Sequence, residues 1–180
     1  MSEARARFES HSLVLIALVG YALTFLIGTL GSLLAQNSYA QLLFFQMADA
    51  CGITASVIAA RYTGLRSQQV AASAFILMGI THGISLAASG IETLNSEKSI
   101  TLIMPMIPAM VLMLWCELFP AWLRYLGLVP AALFVYVYIR VLAGQPYFDW
   151  PTSVAYLLWN LVEVAWAIFL LRDYATRART

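Results

Sequence analysis

Six apolar runs, each about 20 residues long, fill almost the whole chain. That is the length an α-helix needs to cross a hydrocarbon core of about 30 Å. The runs occupy roughly residues 12–35, 41–61, 67–90, 99–119, 121–143 and 151–172. Helix is the expected conformation, because a spanning segment must satisfy every backbone N–H and C=O internally. The joining pieces "QNSYA", "YTGLR", "IETLNSEK", the corner at Pro120 and "GQPYFDW" are too short to fold alone. Residues 1–180 therefore read as a single transmembrane domain. The expected fold is all-α: a polytopic membrane protein built as a six-transmembrane-helix bundle with short loops.

Composition agrees with this reading. Charged residues make up 11% of the chain and hydrophobic ones 62%. A soluble domain carries about 25% charged residues, so this chain has too few polar groups to coat a water-facing surface. Its net charge of +1 gives no basic field for a nucleic acid.

The positive-inside rule orients the bundle. With both termini cytoplasmic, the inside segments hold Arg5, Arg7, Arg61, Arg66, Arg124, Arg172, Arg177 and Arg179, and the outside loops hold only Lys98. The expected location is a bacterial inner (cytoplasmic) membrane. Tyr39, Trp122, Tyr147 and Trp150 fall at span ends, where aromatic belts form.

The first span carries Gly20, Thr24, Gly28 and Ser32 at strict four-residue spacing. Such a row lets another helix backbone approach closely. It serves either packing within one subunit or an interface to a homo-oligomer or membrane-complex partner. Pro105 and Pro108 are expected to kink or loosen the fourth span, and Pro130 the fifth. Met106, Met110 and Met113 share one face of the fourth span and read as packing residues.

Polar residues inside the runs are the functional candidates. Thr152, Tyr156, Asn160 and Glu163 follow spacings of four, four and three, which places them on one helix stripe flanked by Trp159 and Trp166. Glu163 lies roughly 18 Å into its span at 1.5 Å per residue, near mid-membrane. On the second span Gln46 and Asp49 are three apart, with Gly52 and Ser56 continuing the face. His82 on the third span, and Arg140 with Tyr136 on the fifth, fall at related depths. Ionisable groups at such depth face the bundle interior and default to a functional reading. The expected substrate- or ion-binding set is thus Asp49, His82, Arg140, Asn160, Glu163, Gln46, Tyr136, Tyr156, Trp159 and Trp166, with Arg140 or His82 as the partner of Glu163.

Other chemistry is disfavoured. Lys98 is the lone lysine, so an intramembrane Schiff base is not expected. Besides His82 there is only His11, at a span end, so two axial haem ligands are lacking. Cys51 and Cys116 form no CxxC, and neither a zinc motif nor a nucleotide-binding loop occurs. No catalytic set, metal or cofactor is expected. The leading expectation is a protein that binds or moves a small molecule or ion through an outward-opening intramembrane polar pocket, with membrane lipid around it. The alternatives are a non-catalytic subunit of a larger membrane complex and an intramembrane acid–base enzyme acting on a lipid-like substrate.

Overall fold

A computed structural model describes residues 3–35, 38–88, 104–147 and 149–177, with side chains from residue 11 onward. The regular elements described are all helices: α1 (Glu3–Ser32), α2 (Tyr39–Leu65), α3 (Gln69–Ala88), α4 (Met106–Leu112), α5 (Ala121–Leu126), α6 (Leu128–Leu142) and α7 (Trp150–Arg177). A 3₁₀ turn, Met113–Trp115, extends α4, and α5 and α6 together form one span, Ala121–Leu142. Five helices are long and apolar enough to cross a membrane. The architecture is that of an integral membrane protein.

Local chemistry sets where several helices begin and end. Ser38 caps α2, its hydroxyl accepting from the Gln41 amide at 3.1 Å. The same helix ends in a paired closure, Gln68 N–H to Thr63 C=O and Ser67 N–H to Gly64 C=O, each 3.0 Å. That closure needs a left-handed residue, and Ser67 supplies it at φ 60. At the end of α6 the equivalent position is Gly144, at φ 80, which carries no side-chain penalty there.

The elements close into a ring in the order α1, α2, α3, α4, α6, α7, and α7 returns to α1. The ring is filled by Tyr21, Phe75, Met78, Met110, Phe134 and Trp166, all essentially buried. Outward faces carry exposed apolar side chains such as Leu15, Val19, Leu23, Leu26 and Leu30 on α1, which suit contact with lipid tails.

The small-residue row on α1 is used within the chain. A Cβ on Gly20 would lie 2.8 Å from Ala55 Cβ and 3.2 Å from the Cys51 carbonyl oxygen of α2. Thr24 donates to the Gly20 and Ala48 carbonyls at 2.9 and 3.2 Å. Gly28 faces Ala48 more loosely, and Ser32 is exposed. The row therefore packs helix to helix over its first three members.

The two proline-bearing spans differ in outcome. Among the described residues the fourth segment is a ten-residue helix, Met106–Trp115, rather than a span running to 119. Pro105 sits at its N-cap and Pro108 in its first turn, where amide donors have no intrahelical acceptor and proline costs little. The prolines thus stand at the start of this helix, and residues 99–103 of the expected span lie outside the described residues. The far end is set at Cys116, whose backbone turns extended at ψ 103. In the fifth span the interruption falls at Gly127, three residues before Pro130. Pro130 has no N–H to offer the Leu126 carbonyl, and the helix is interrupted one turn before it, as a proline inside a span leads one to expect. Trp166 uses the gap, because a Cβ on Gly127 would lie 2.9 Å from its ring.

Candidate functional site

The buried polar centre is built from three helices. Asp49 comes from α2, His82 from α3 and Glu163 from α7. His82 Nδ1 lies 2.9 Å from Asp49 Oδ1, and its Nε2 lies 3.5 Å from Glu163 Oε1, at the outer limit of hydrogen-bond reach. The side chains of His82 and Glu163 are 2% and 1% exposed, against 13% for Asp49. Asp49 is therefore the least enclosed member, and Glu163 the most.

The imidazole is clamped on both faces. Trp159 stacks on it with ring centroids 4.7 Å apart and planes at 23°. On the other side Gly52 leaves the α2 backbone bare: a Cβ there would fall 2.5 Å from His82 Nε2 and 2.6 Å from Cδ2. Asp49 and Gly52 are three residues apart, so one turn of α2 supplies both the carboxylate at the ring edge and the platform under the ring. Glu163 stands four residues beyond Trp159, so one turn of α7 supplies the stacking ring and the second carboxylate.

This arrangement leaves polar capacity unused. Glu163 Oε1 and Oε2, His82 Nε2, Trp159 Nε1 and Trp166 Nε1 are buried without a protein hydrogen-bond partner among the described residues. Buried polar atoms are ordinarily paired, because leaving one unmatched costs about 1–3 kcal/mol. Asp49 and one N–H of a neutral imidazole satisfy each other. The exchangeable position is then the Nε2–Glu163 gap. With Asp49 ionised, a proton on Glu163 beside neutral His82 and a proton on Nε2 beside ionised Glu163 carry the same total charge. The two states differ only in where one proton sits, so moving that proton leaves the single net negative charge of the buried site unchanged.

The other sequence candidates divide. Tyr156 packs edge-on to Phe134 and beside Trp159, and its hydroxyl meets Tyr147 Oη at 2.8 Å. Asn160 donates back to the Tyr156 carbonyl of its own helix at 2.9 Å. Gln46 is half-buried on α2, one turn before Asp49. Trp166 is buried, stacked on Phe119 with ring centroids 6.1 Å apart, and edge-on to Phe75 at 6.2 Å. Arg140 stands apart from the Asp49, His82 and Glu163 centre. Its Nη2 binds Asp149 Oδ2 at 2.7 Å, and its guanidinium lies 5.9 Å from the centroid of the half-exposed Tyr136 ring. This hydrogen bond holds the Asp149 carboxyl below the usual carboxylate range, helped by the Trp150 amide. Of the two partners expected for Glu163, His82 is the one in place. Lys98, placed in an outside loop by the sequence, lies outside the described residues.

Two features escaped the sequence reading. Tyr21 Oη and Ser56 Oγ form a buried pair at 2.9 Å between α1 and α2. At the Arg-bearing end Asp173 gathers Tyr62 Oη at 2.9 Å, Arg66 Nε at 3.2 Å and Arg177 Nε at 3.0 Å. The signal for the second was present, since Asp173 is the lone acid in "LRDYATR".

The two clefts described on the protein lie elsewhere, one apolar beside Pro130 and Val162 and one at the Arg-bearing end. Comparison with known proteins found no matching family model, curated protein or solved structure.

Proposed function

We propose that the chain is a six-span membrane protein that binds or moves a small molecule or ion, with Asp49, His82 and Glu163 as a proton-handling centre. The observation that carries this reading is the buried His82 imidazole held edge to edge between two carboxylates from different helices. Polar contacts used only as glue repay little in a membrane, averaging about 0.6 kcal/mol in one measured case. Two carboxylates and a histidine are a costly way to obtain that, and they suit proton transfer.

In this reading Asp49 is the side from which protons or cations exchange. It fixes Nδ1–H, so that the lone pair of Nε2 faces Glu163. The proton then leaves the Glu163 carboxyl oxygen, and the Nε2 lone pair takes it. An arriving cation or hydrogen-bonding substrate stabilises the ionised carboxylate and drives the transfer; its departure reverses it. Tyr156, Trp159 and Trp166 form the aromatic wall. Both termini lie in the cytoplasm of a bacterial cell, so the Asp49 side opens outward.

The test is proton flux. Purified protein reconstituted in liposomes with an internal pH dye is placed under an imposed membrane potential. Wild type should acidify the lumen faster than empty vesicles, and Glu163→Gln should abolish the excess while melting as a folded protein. Wild-type traces that match empty vesicles, with or without a counter-ion gradient, would remove the proton-handling claim.

A further inference from the structure

We propose that the cleft between the last two turns of α7 and the turn before α5 is a binding site for an anionic phospholipid, with Arg172 as the residue that recognises its phosphate. The cleft is open, about 460 Å³, and is lined by Leu118, Pro120, Phe169, Arg172, Asp173, Thr176 and Arg177. The α7 members recur at intervals of three, one, three and one, so they form a single helix face. Its composition is graded along the helix. Leu118, Pro120 and Phe169 make an apolar wall; Arg172, Asp173, Thr176 and Arg177 make a polar mouth one to two turns further on.

Depth places that mouth at a membrane surface. Trp150 opens α7, and Arg172 stands 22 residues later, or about 33 Å along the helix at 1.5 Å per residue. That distance matches a hydrocarbon core of about 30 Å. Trp122, 59% exposed, lies edge-on to Phe169 with centroids 5.8 Å apart, so an interfacial indole borders the cleft. An occupant must therefore be apolar toward the bilayer and polar at its surface.

Charge decides which lipid. The one carboxylate in the lining, Asp173, is already engaged by Arg66 from the end of α2, by Tyr62 and by Arg177. Its charge is spent within the protein. Arg172 has no carboxylate partner among the described residues, and its guanidinium rests 5.7 Å from the Phe169 ring centroid. That contact holds the cation against the cleft wall while leaving its N–H groups free to donate. The mouth is thus net positive, with a planar donor fork suited to a phosphate, and the Thr176 hydroxyl is one turn away. An anionic headgroup complements this, and a zwitterionic one, whose own ammonium offsets its phosphate, complements it less.

The experiment measures melting temperature of the purified full chain in neutral detergent, titrated with phosphatidylglycerol, phosphatidylcholine or inorganic phosphate. Phosphatidylglycerol should stabilise at a concentration at least about fivefold lower than phosphatidylcholine, in line with the pull of one basic residue on an anionic lipid. Inorganic phosphate should give no shift. Arg172→Gln should erase the preference. Arg61→Gln, which removes an exposed arginine of α2 outside the cleft, should retain it. Equal stabilisation by both lipids would overturn the proposal, as would loss of the preference in both variants. A shift from inorganic phosphate as large as that from phosphatidylglycerol would assign the site to a soluble anion instead.

Discussion

A histidine ring has two edges and two faces, and in this protein all four are specified. Asp49 and Glu163 take the edges, and Gly52 and Trp159 take the faces. The identity of the three ionisable groups was legible in the sequence, because each interrupts an apolar run at a compatible depth. Their convergence was not, since the rotation of each helix about its axis depends on packing against neighbours that a single sequence does not name. Arg140 shows the same gap from the other side. Depth made it a candidate partner for Glu163, yet the short α6–α7 turn puts Asp149 closer. Gly52 was seen only as part of a polar face, and its role under the imidazole appears with the fold. That role is testable. Gly52→Ala adds a methyl 2.5 Å from the ring, so it should displace His82 and cost about 1–3 kcal/mol, as overpacking does. Gly83→Ala, one residue past His82 with open space around the new methyl, should be neutral or stabilising by up to about 1 kcal/mol. Thermal melts of the two variants should separate clearly; similar small shifts for both would mean that the ring is not held against α2.

Among the elements, α1 shows how far a spacing can be read. The four-residue row of small side chains correctly marks a face of close helix approach. It does not rank its members. The distances do: a Cβ on Gly20 meets Ala55 at 2.8 Å, and one on Gly28 meets Ala48 at 3.8 Å. Gly20→Leu should therefore destabilise by several kcal/mol, on the order of 3 or more, because two backbones must part. Gly28→Leu should cost less than half as much. Melting temperatures in one detergent check this, and a reversed order would contradict the α1–α2 packing. The fourth segment was harder to read. Its two prolines have one meaning inside a helix and the opposite meaning at its start, and apolar composition alone does not say where a helix begins.

For the whole molecule, hydropathy marked six runs, of which five are helices long enough to cross a membrane among the described residues, while the closed ring of elements depends on which faces fit. The spans and their Arg bias predict a topology that the ring can accommodate only if residues 69–120 cross the membrane twice. Reporter or thiol-accessibility tags at residue 67 and after residue 177 should then lie on the same side, with a tag at residue 145 on the other. Opposite sides for residues 67 and 177 would mean that the segment ending in Met106–Trp115 does not complete a crossing.

If His82 and Glu163 share one proton as proposed, infrared difference spectroscopy reads it out at the carboxyl itself. Lipid-embedded wild type is taken through a pH cycle, and the carboxylic C=O stretch is followed against Glu163→Gln. A band from a water-excluded carboxylic acid should change with pH, be missing in Glu163→Gln, and shift in His82→Gln, where the acceptor at Nε2 is lost. A wild-type spectrum whose pH-dependent carboxylic bands all survive in Glu163→Gln would contradict it.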